Sequence, residues 1–188
     1  MILMILIIII KITVFLKDAK LSDKLRASTD LKEVLADAKI ILLVVPTKAL
    51  REVAKKVYAS LDRLSLDDPD QLIFGHAIKG IEAGTNKRIS QMIAEEIPFL
   101  SEKDLFFISG PSHAESVVQK AITLVSVAGS DQEKVKSVQN ALSNAFFRVY
   151  TNRDLIGSEY AAALKNVLAI AGGIVKGLGM TDNTQAAL

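Results

Sequence analysis

Lys39-Ile-Ile-Leu-Leu-Val-Val45 is an unbroken apolar run that stops at Pro46. A run of strand length with no polar alternation suits a strand covered on both faces, and such strands belong to parallel sheets flanked by helices. The chain on either side of it fits that reading. Upstream, Asp30 with Glu33 makes a start like a capping box for a short helix to about Asp37. Downstream, Thr47 can cap a helix whose Leu50, Val53, Ala54, Val57 and Leu61 recur at helical spacing. Asp62 to Asp70 reads as a polar loop containing Pro69.

The alternation then repeats. Leu72 to Ile78 is a strand ending at Lys79-Gly80, and a helix is predicted from about Thr85 to Ile97. Leu105 to Ile108 is a strand that runs into Ser109-Gly-Pro-Ser-His-Ala114, followed by a helix to about Gln119. A strand at Ile122 to Ala128, a helix at Gln132 to Ala145 and a strand at Phe147 to Tyr150 complete the pattern. Strand and helix in turn specify an α/β fold with a mostly parallel sheet and helices on both faces. The Phe residues at 106, 107, 146 and 147 read as core. From about Gly157 the strand signal ends, and Glu159 to Leu178 reads as the first helix of an all-α second domain. The expected domains are residues 1–152 and 153–188, the second too short to build its own core.

Composition narrows the function. Of 188 residues, 50% are hydrophobic and 23% charged, enough apolar mass for a real core. Lys and Arg number 23 against 21 Asp and Glu, which argues against a nucleic-acid binder working by bulk charge. With no Cys, thiolate catalysis, disulfides and cysteine-ligated zinc are excluded, and two His make a histidine-rich metal site a poor expectation. The first glycine is Gly75, so no glycine-rich loop precedes it. The apolar start, Met1 to Leu16 with Lys11 inside it, is short of the ~20 residues of a spanning helix and lacks the layout of a secretory signal. It reads as a buried strand or a non-native start, with a membrane or targeting segment as the other reading.

Three places can carry chemistry. Lys79 ends an apolar strand, where the carboxyl ends of a doubly wound sheet form a ligand crevice; it meets a phosphate or carbonyl there, or simply marks where the strand reaches water. In Ser109-Gly-Pro-Ser-His-Ala-Glu115, Ser112 with Glu115 predicts a capping box, Gly110 would let a ligand approach the backbone, and the helix start offers free N–H groups to an anion. The alternative is an ordinary strand–turn–helix corner. Lys165 has Ala161, Ala162, Leu168 and Ala169 as its helical neighbours, so it is expected on a buried apolar face, where a lysine suits proton transfer. Its other reading is a side chain that snorkels out at a domain edge.

With these residues in place, the chain resembles the bacterial type of NAD(P)-dependent glycerol-3-phosphate dehydrogenase, from about Phe15 to Leu188. The match rests on Ile40 to Pro46, Lys79-Gly-Ile-Glu82, Ser109 to Glu115, Phe147 to Asn152, Asp154 to Gly157 and Ala163-Leu-Lys-Asn-Val-Leu-Ala169, in that order and spacing. The resemblance implies a Rossmann-like domain and reduction of dihydroxyacetone phosphate to sn-glycerol 3-phosphate for phospholipid synthesis. It implies NAD or NADP as cofactor, a cytoplasmic setting, a homodimer, and neither nucleic acid nor membrane as partner. Lys165 would exchange the proton with the carbonyl oxygen, Lys79 would contact substrate and cofactor, and Gly110 and Ser112 would contact substrate. Ala114 and Pro46 would lie by the dinucleotide.

The sequence also departs from that pattern. The family's opening Gly-x-Gly-x-x-Gly turn, which seats the pyrophosphate, has no counterpart before Phe15. Nor is there a counterpart of its later Gly-Asp-Leu and Arg-Asn segments. Met180 to Gln185 stands where the family usually has Phe-Gly-Asp-Asn-Ala-Lys, and Ser158, Ala161 and Ala162 replace commoner choices. The chain therefore reads as truncated at both ends. Its expected activity is nil or nearly so, and the other reading is a non-catalytic remnant that binds weakly or serves an interface.

Overall fold

The run that opens at Ile40 forms a strand, Ile40–Leu43, with all four residues buried. It is β2 of the computed structural model, which describes residues 4–6, 22, 24–61 and 72–188. The other strands are β1 (Met4–Leu6), β3 (Ile73–His76), β4 (Leu105–Ser109), β5 (Thr123–Gly129) and β6 (Phe147–Asn152). They form one sheet in the order β1-β2-β3-β4-β5-β6. Every neighbouring pair is parallel except β4 with β5, where Ile108 faces Val127 and Ser109 faces Ser126. The mostly parallel sheet is as the sequence specifies. The rest of the apolar start and the polar loop at Asp62 to Asp70 lie outside the described residues.

Period-two alternation along the strands divides the core between the two faces. Ile41, Leu43, Phe74, Leu105 and Phe107 face one way, against Leu50, Ala54 and Val57 of α2 (Leu50–Ser60) and Ile89, Met92 and Ile93 of α3 (Ile89–Glu96). Ile40, Leu42, Phe106, Val125, Val127 and Val149 face the other way, against Val135 and Val138 of α5 (Gln132–Leu142). Helices thus cover both faces. Phe106 and Phe107 are core as expected, whereas Phe146 and Phe147 are only half-buried. The remaining helices are α1 (Leu31–Leu35), α4 (Ala114–Val118), α6 (Leu155–Gly177) and α7 (Asp182–Ala186).

Helix ends depart from the sequence reading wherever a turn competes. Helix α3 starts at Ile89 instead of Thr85, because residues 81–88 fold into a hairpin. Glu82 N–H donates to Lys87 O, Asn86 N–H donates to Glu82 O, and Ile81 bridges Arg88. Gly84 and Asn86 supply the positive φ this turn needs. Helix α5 stops at Leu142 instead of Ala145, since the Asn144 side chain accepts from the N–H groups of Phe146 and Phe147 and turns the chain into β6. At α1, Asp30 caps Lys32 N–H, but Glu33 closes no box and accepts from Ser28 instead. Thr47 lies in a short 3₁₀ turn ahead of α2, and its hydroxyl faces Lys79 O at 3.4 Å.

Among the described residues no helix is long and apolar enough to cross a membrane, and no cluster of His, Asp and Glu could hold a metal ion.

Candidate functional site

After β3 the chain bends at Gly80 (φ +125°), leaving Lys79 exposed at the carboxyl end of the strand. Parallel β4 ends at the same edge and delivers Ser109-Gly110-Pro111-Ser112. Helix α6 starts behind β6 and runs over β4 and β5. The three segments enclose an open cleft of about 640 Å³ whose walls include Lys79, Gly110, Ser112, Asn152, Ser158 and Lys165. Four of the sequence candidates, Lys79, Gly110, Ser112 and Lys165, therefore meet in one place. Pro46 and Ala114 do not line it. Pro46 is exposed beyond β2, joined to Lys79 through the Thr47 hydroxyl, and Ala114 opens α4 beyond His113. A second, apolar cavity of about 190 Å³ between Ile40, Leu42, Phe106, Val138 and Leu142 offers no side chain for chemistry.

Three details correct the sequence reading. Ser112 forms no capping box: α4 begins one residue later with His113 at its N-cap and no side-chain cap, and it is only five residues long. Gly110 has a packing reason to be glycine besides any approach of a ligand. Its φ is +143°, and a Cβ there would lie 2.8 Å from Leu124 O and from Val125 Cα, so β5 requires the glycine. Lys165 is exposed, as are Leu164, Val167 and Leu168 around it. Periodicity marks a helix apolar all round as one built to be covered, yet among the described residues only the short α7 and the chain end lie against α6 beyond its first turns.

Those first turns are anchored by an ionic network that sequence reasoning missed. Among the described residues only Leu155 and Glu159 of α6 are buried. Oε2 of Glu159 accepts from Arg88 Nη1 at 2.6 Å and Ser90 Oγ at 2.7 Å, and Oε1 accepts from Ser90 N–H at 2.8 Å. Arg88 also donates to Ser90 Oγ and pairs with Glu102. Nε2 of the fully buried His76 ring lies 3.4 Å from Oε1, an ion-pair distance without hydrogen-bond alignment, while the ring stacks on Phe107 at 4.7 Å. Burial pushes the Glu159 carboxyl up, but the facing His76 and the two Ser90 donors outweigh it and hold the pKa at about 2. Burial also works against the Arg88 charge, and Glu102 and Glu159 more than offset it, leaving its pKa raised. Arg88 and Glu159 are 71 positions apart. No spacing rule pairs them; a carboxylate just ahead of an apolar helical stretch was the available signal.

A second cluster orders the other leg of the hairpin. Arg51 on α2 donates to Glu82 at 2.6 Å and 2.7 Å, to Glu96 at 2.6 Å and to Glu95 at 2.9 Å. The Arg51 guanidinium and the Thr85 hydroxyl hold the Glu82 carboxyl down to about 2. At the cleft mouth, Asn152 donates to Ser158 Oγ at 3.1 Å and accepts from Asp154 N–H, tying the end of β6 to the start of α6.

Two lysines, the Ser112 hydroxyl and an amide side chain facing one cleft suit a small anionic ligand with oxygen functions. A dinucleotide fits less well. Its pyrophosphate needs a glycine turn that lets backbone N–H groups close in. The first glycine, Gly75, is inside β3, where a Cβ would meet Phe106 at 2.4 Å, so it is a packing position and no phosphate seat.

Family models for the N-terminus and the C-terminus of NAD-dependent glycerol-3-phosphate dehydrogenase match residues 11–135 and 154–188. A glycerol-3-phosphate dehydrogenase (NAD(P)+) of Leuconostoc citreum is 51% identical over 176 residues, covering 94% of this chain and 51% of that protein. The Streptococcus uberis enzyme of the same name is 47% identical, covering 94% and 50%. The crystal structure of Coxiella burnetii glycerol-3-phosphate dehydrogenase superposes with a TM-score of 0.73 at 32% identity, over 92% of this chain and 50% of that one. The chain spans about half the length of the curated relatives it matches. It belongs to the NAD-dependent glycerol-3-phosphate dehydrogenase family.

Proposed function

We propose that this chain carries the substrate side of the family's reaction, the interconversion of dihydroxyacetone phosphate and sn-glycerol 3-phosphate with NAD or NADP. The observation that carries the reading is the convergence of Lys79 and Lys165 on one cleft with Gly110 and Ser112. A phosphorylated three-carbon ligand brings a dianion for the ammonium groups and the Ser112 hydroxyl. Lys165 is the residue that gives its proton to the carbonyl oxygen in reduction and takes the hydroxyl proton in oxidation. The family's reaction takes its hydride from NADH or NADPH; this chain's residues account for binding and the proton.

The same reading divides the chain into a dinucleotide-type part, residues 1–152, with Pro46, Lys79 and Ala114 toward the cofactor, and the start of a helical part, residues 153–188. It includes a homodimer and a cytoplasmic setting. The long helix α6 and the separate family matches on either side of residue 153 support the division. A second reading is a binder without catalysis.

Titration calorimetry with glycerol 3-phosphate and a steady-state assay with NADH and dihydroxyacetone phosphate test both. Loss of one charged contact in Lys79→Ala or Lys165→Ala should weaken binding about tenfold or more. Turnover should fall far below the ~10 per second of an ordinary enzyme. Absence of binding in the parent chain would sink the substrate reading. Ordinary turnover that collapses in Lys165→Ala would sink the binder reading.

A further inference from the structure

Lys79 and Lys165 come from segments distant in sequence, yet one hairpin governs both. Its first leg follows Lys79-Gly80 and is fixed by Glu82 on Arg51. Its second leg carries Arg88 into Ser90, and these two grip Glu159. Glu159 lies between Ser158 and the Ala161–Lys165 turns that line the cleft. Of α6, only Leu155 and Glu159 are buried among the described residues, and Leu155 is an apolar contact that tolerates sliding. The carboxylate is different. Its two oxygens take directional bonds from a guanidinium, a hydroxyl and a backbone N–H, which fix both the roll and the axial position of the helix.

We infer that Glu159 is a positioning residue: held by Arg88 at the end of the 81–88 hairpin and by Ser90 in the first turn of α3, it sets the place of α6 and thereby aims Lys165 at the ligand bound beside Lys79. The ligand part of this statement rests on the function proposed above; the placement of the helix does not. The residue touches no substrate and acts through Lys165. The consequence for the site is steep, because a misplacement of ~1 Å of a reacting group costs on the order of 10²-fold in rate.

The chain has no Cys, so spin labels can be placed at will. Lys136→Cys on α5 and Leu164→Cys on α6, both exposed, give one distance from α6 to the helix on the other face of the sheet by pulsed electron resonance. Glu159→Gln keeps the shape and removes the charge. The expected result is native circular dichroism, a distance distribution that shifts or splits, and glycerol 3-phosphate binding about tenfold weaker as Lys165 loses its aim. Ser90→Ala, which removes only the hydroxyl, should shift the distance less, and it decides the matter if Glu159→Gln does not fold. A lower Tm with an unchanged distance distribution in the folded variants overturns the inference, since it shows a role in stability alone. Should the parent chain bind no glycerol 3-phosphate, the proposed function fails while the distance measurement still decides the positioning of α6.

Discussion

Glu159 is ionised in a place where burial alone would keep it neutral, and its surroundings state the cost of removing that charge. The folded pKa is about 2 against an ordinary 4.5, so the folded state holds fewer protons than the unfolded chain between those values. The stabilisation is complete above pH 4.5 and is lost as pH falls from there through about 2. Two and a half units at roughly 1.4 kcal/mol each make about 3 kcal/mol. Urea unfolding between pH 2 and 6 should show this loss in the parent, and Glu159→Gln should flatten that part of the curve while lowering stability at pH 6. A parent curve no steeper than the variant's would contradict the network. At this scale the sequence was half legible. Lys79, Gly110, Ser112 and Lys165 could be named from strand ends, a turn and a polar break in an apolar helix. Whether Lys165 is covered, and why Gly110 must be glycine, depend on what packs across from them, and neighbours in sequence do not report that.

Elements were legible where apolar runs decide and illegible where local polar groups do. β2, β3 and β4 could be read because strands buried on both faces are apolar almost throughout, His76 in β3 and the terminal Ser109 of β4 being the exceptions. The start of α3 and the end of α5 could not, because the 81–88 hairpin, with Asn86 at positive φ, and the Asn144 side chain take the backbone away from another helical turn. Helix α6 combines both lessons: its 23 residues form as the pattern demands, but only its start is tied to the sheet, with the short α7 alone against its far end. Leu155 and Glu159 tie its start to the sheet, and past Ala162 its Leu164, Val167, Leu168, Ile170 and Ile174 side chains face outward. A helix without packing has little stability of its own in water, so opening should cost much less in the unsupported half. Hydrogen exchange is expected to be about tenfold or more faster for amides 166–177 than for 159–162. Uniform protection along α6 would mean that the outer turns are covered after all.

For the whole molecule, alternation of strands and helices was enough to specify a mostly parallel sheet with two covered faces. It did not reveal that β5 runs against β4, since a short antiparallel return needs no long crossover helix and α4 is too small to mark one. The larger consequence is the surface left by α6. Val167, Ile170 and Leu178 are 62%, 66% and 66% exposed, with Leu164, Leu168 and Ile174 beside them, on a helix about 34 Å long. A contiguous apolar surface of this kind drives association in water. Under the proposed homodimer, a second copy is the covering expected for it. Burying a Val or Ile side chain contributes about 1.5 kcal/mol or more. Replacing two of them by carboxylates should therefore weaken association by at least about tenfold per side chain. Sedimentation of the purified chain should show concentration-dependent self-association that Val167→Glu with Ile170→Glu abolishes. These side chains are exposed, so circular dichroism should report the sheet domain unchanged. A parent chain that stays monomeric at every concentration would leave α6 without this partner and remove the homodimer from the reading.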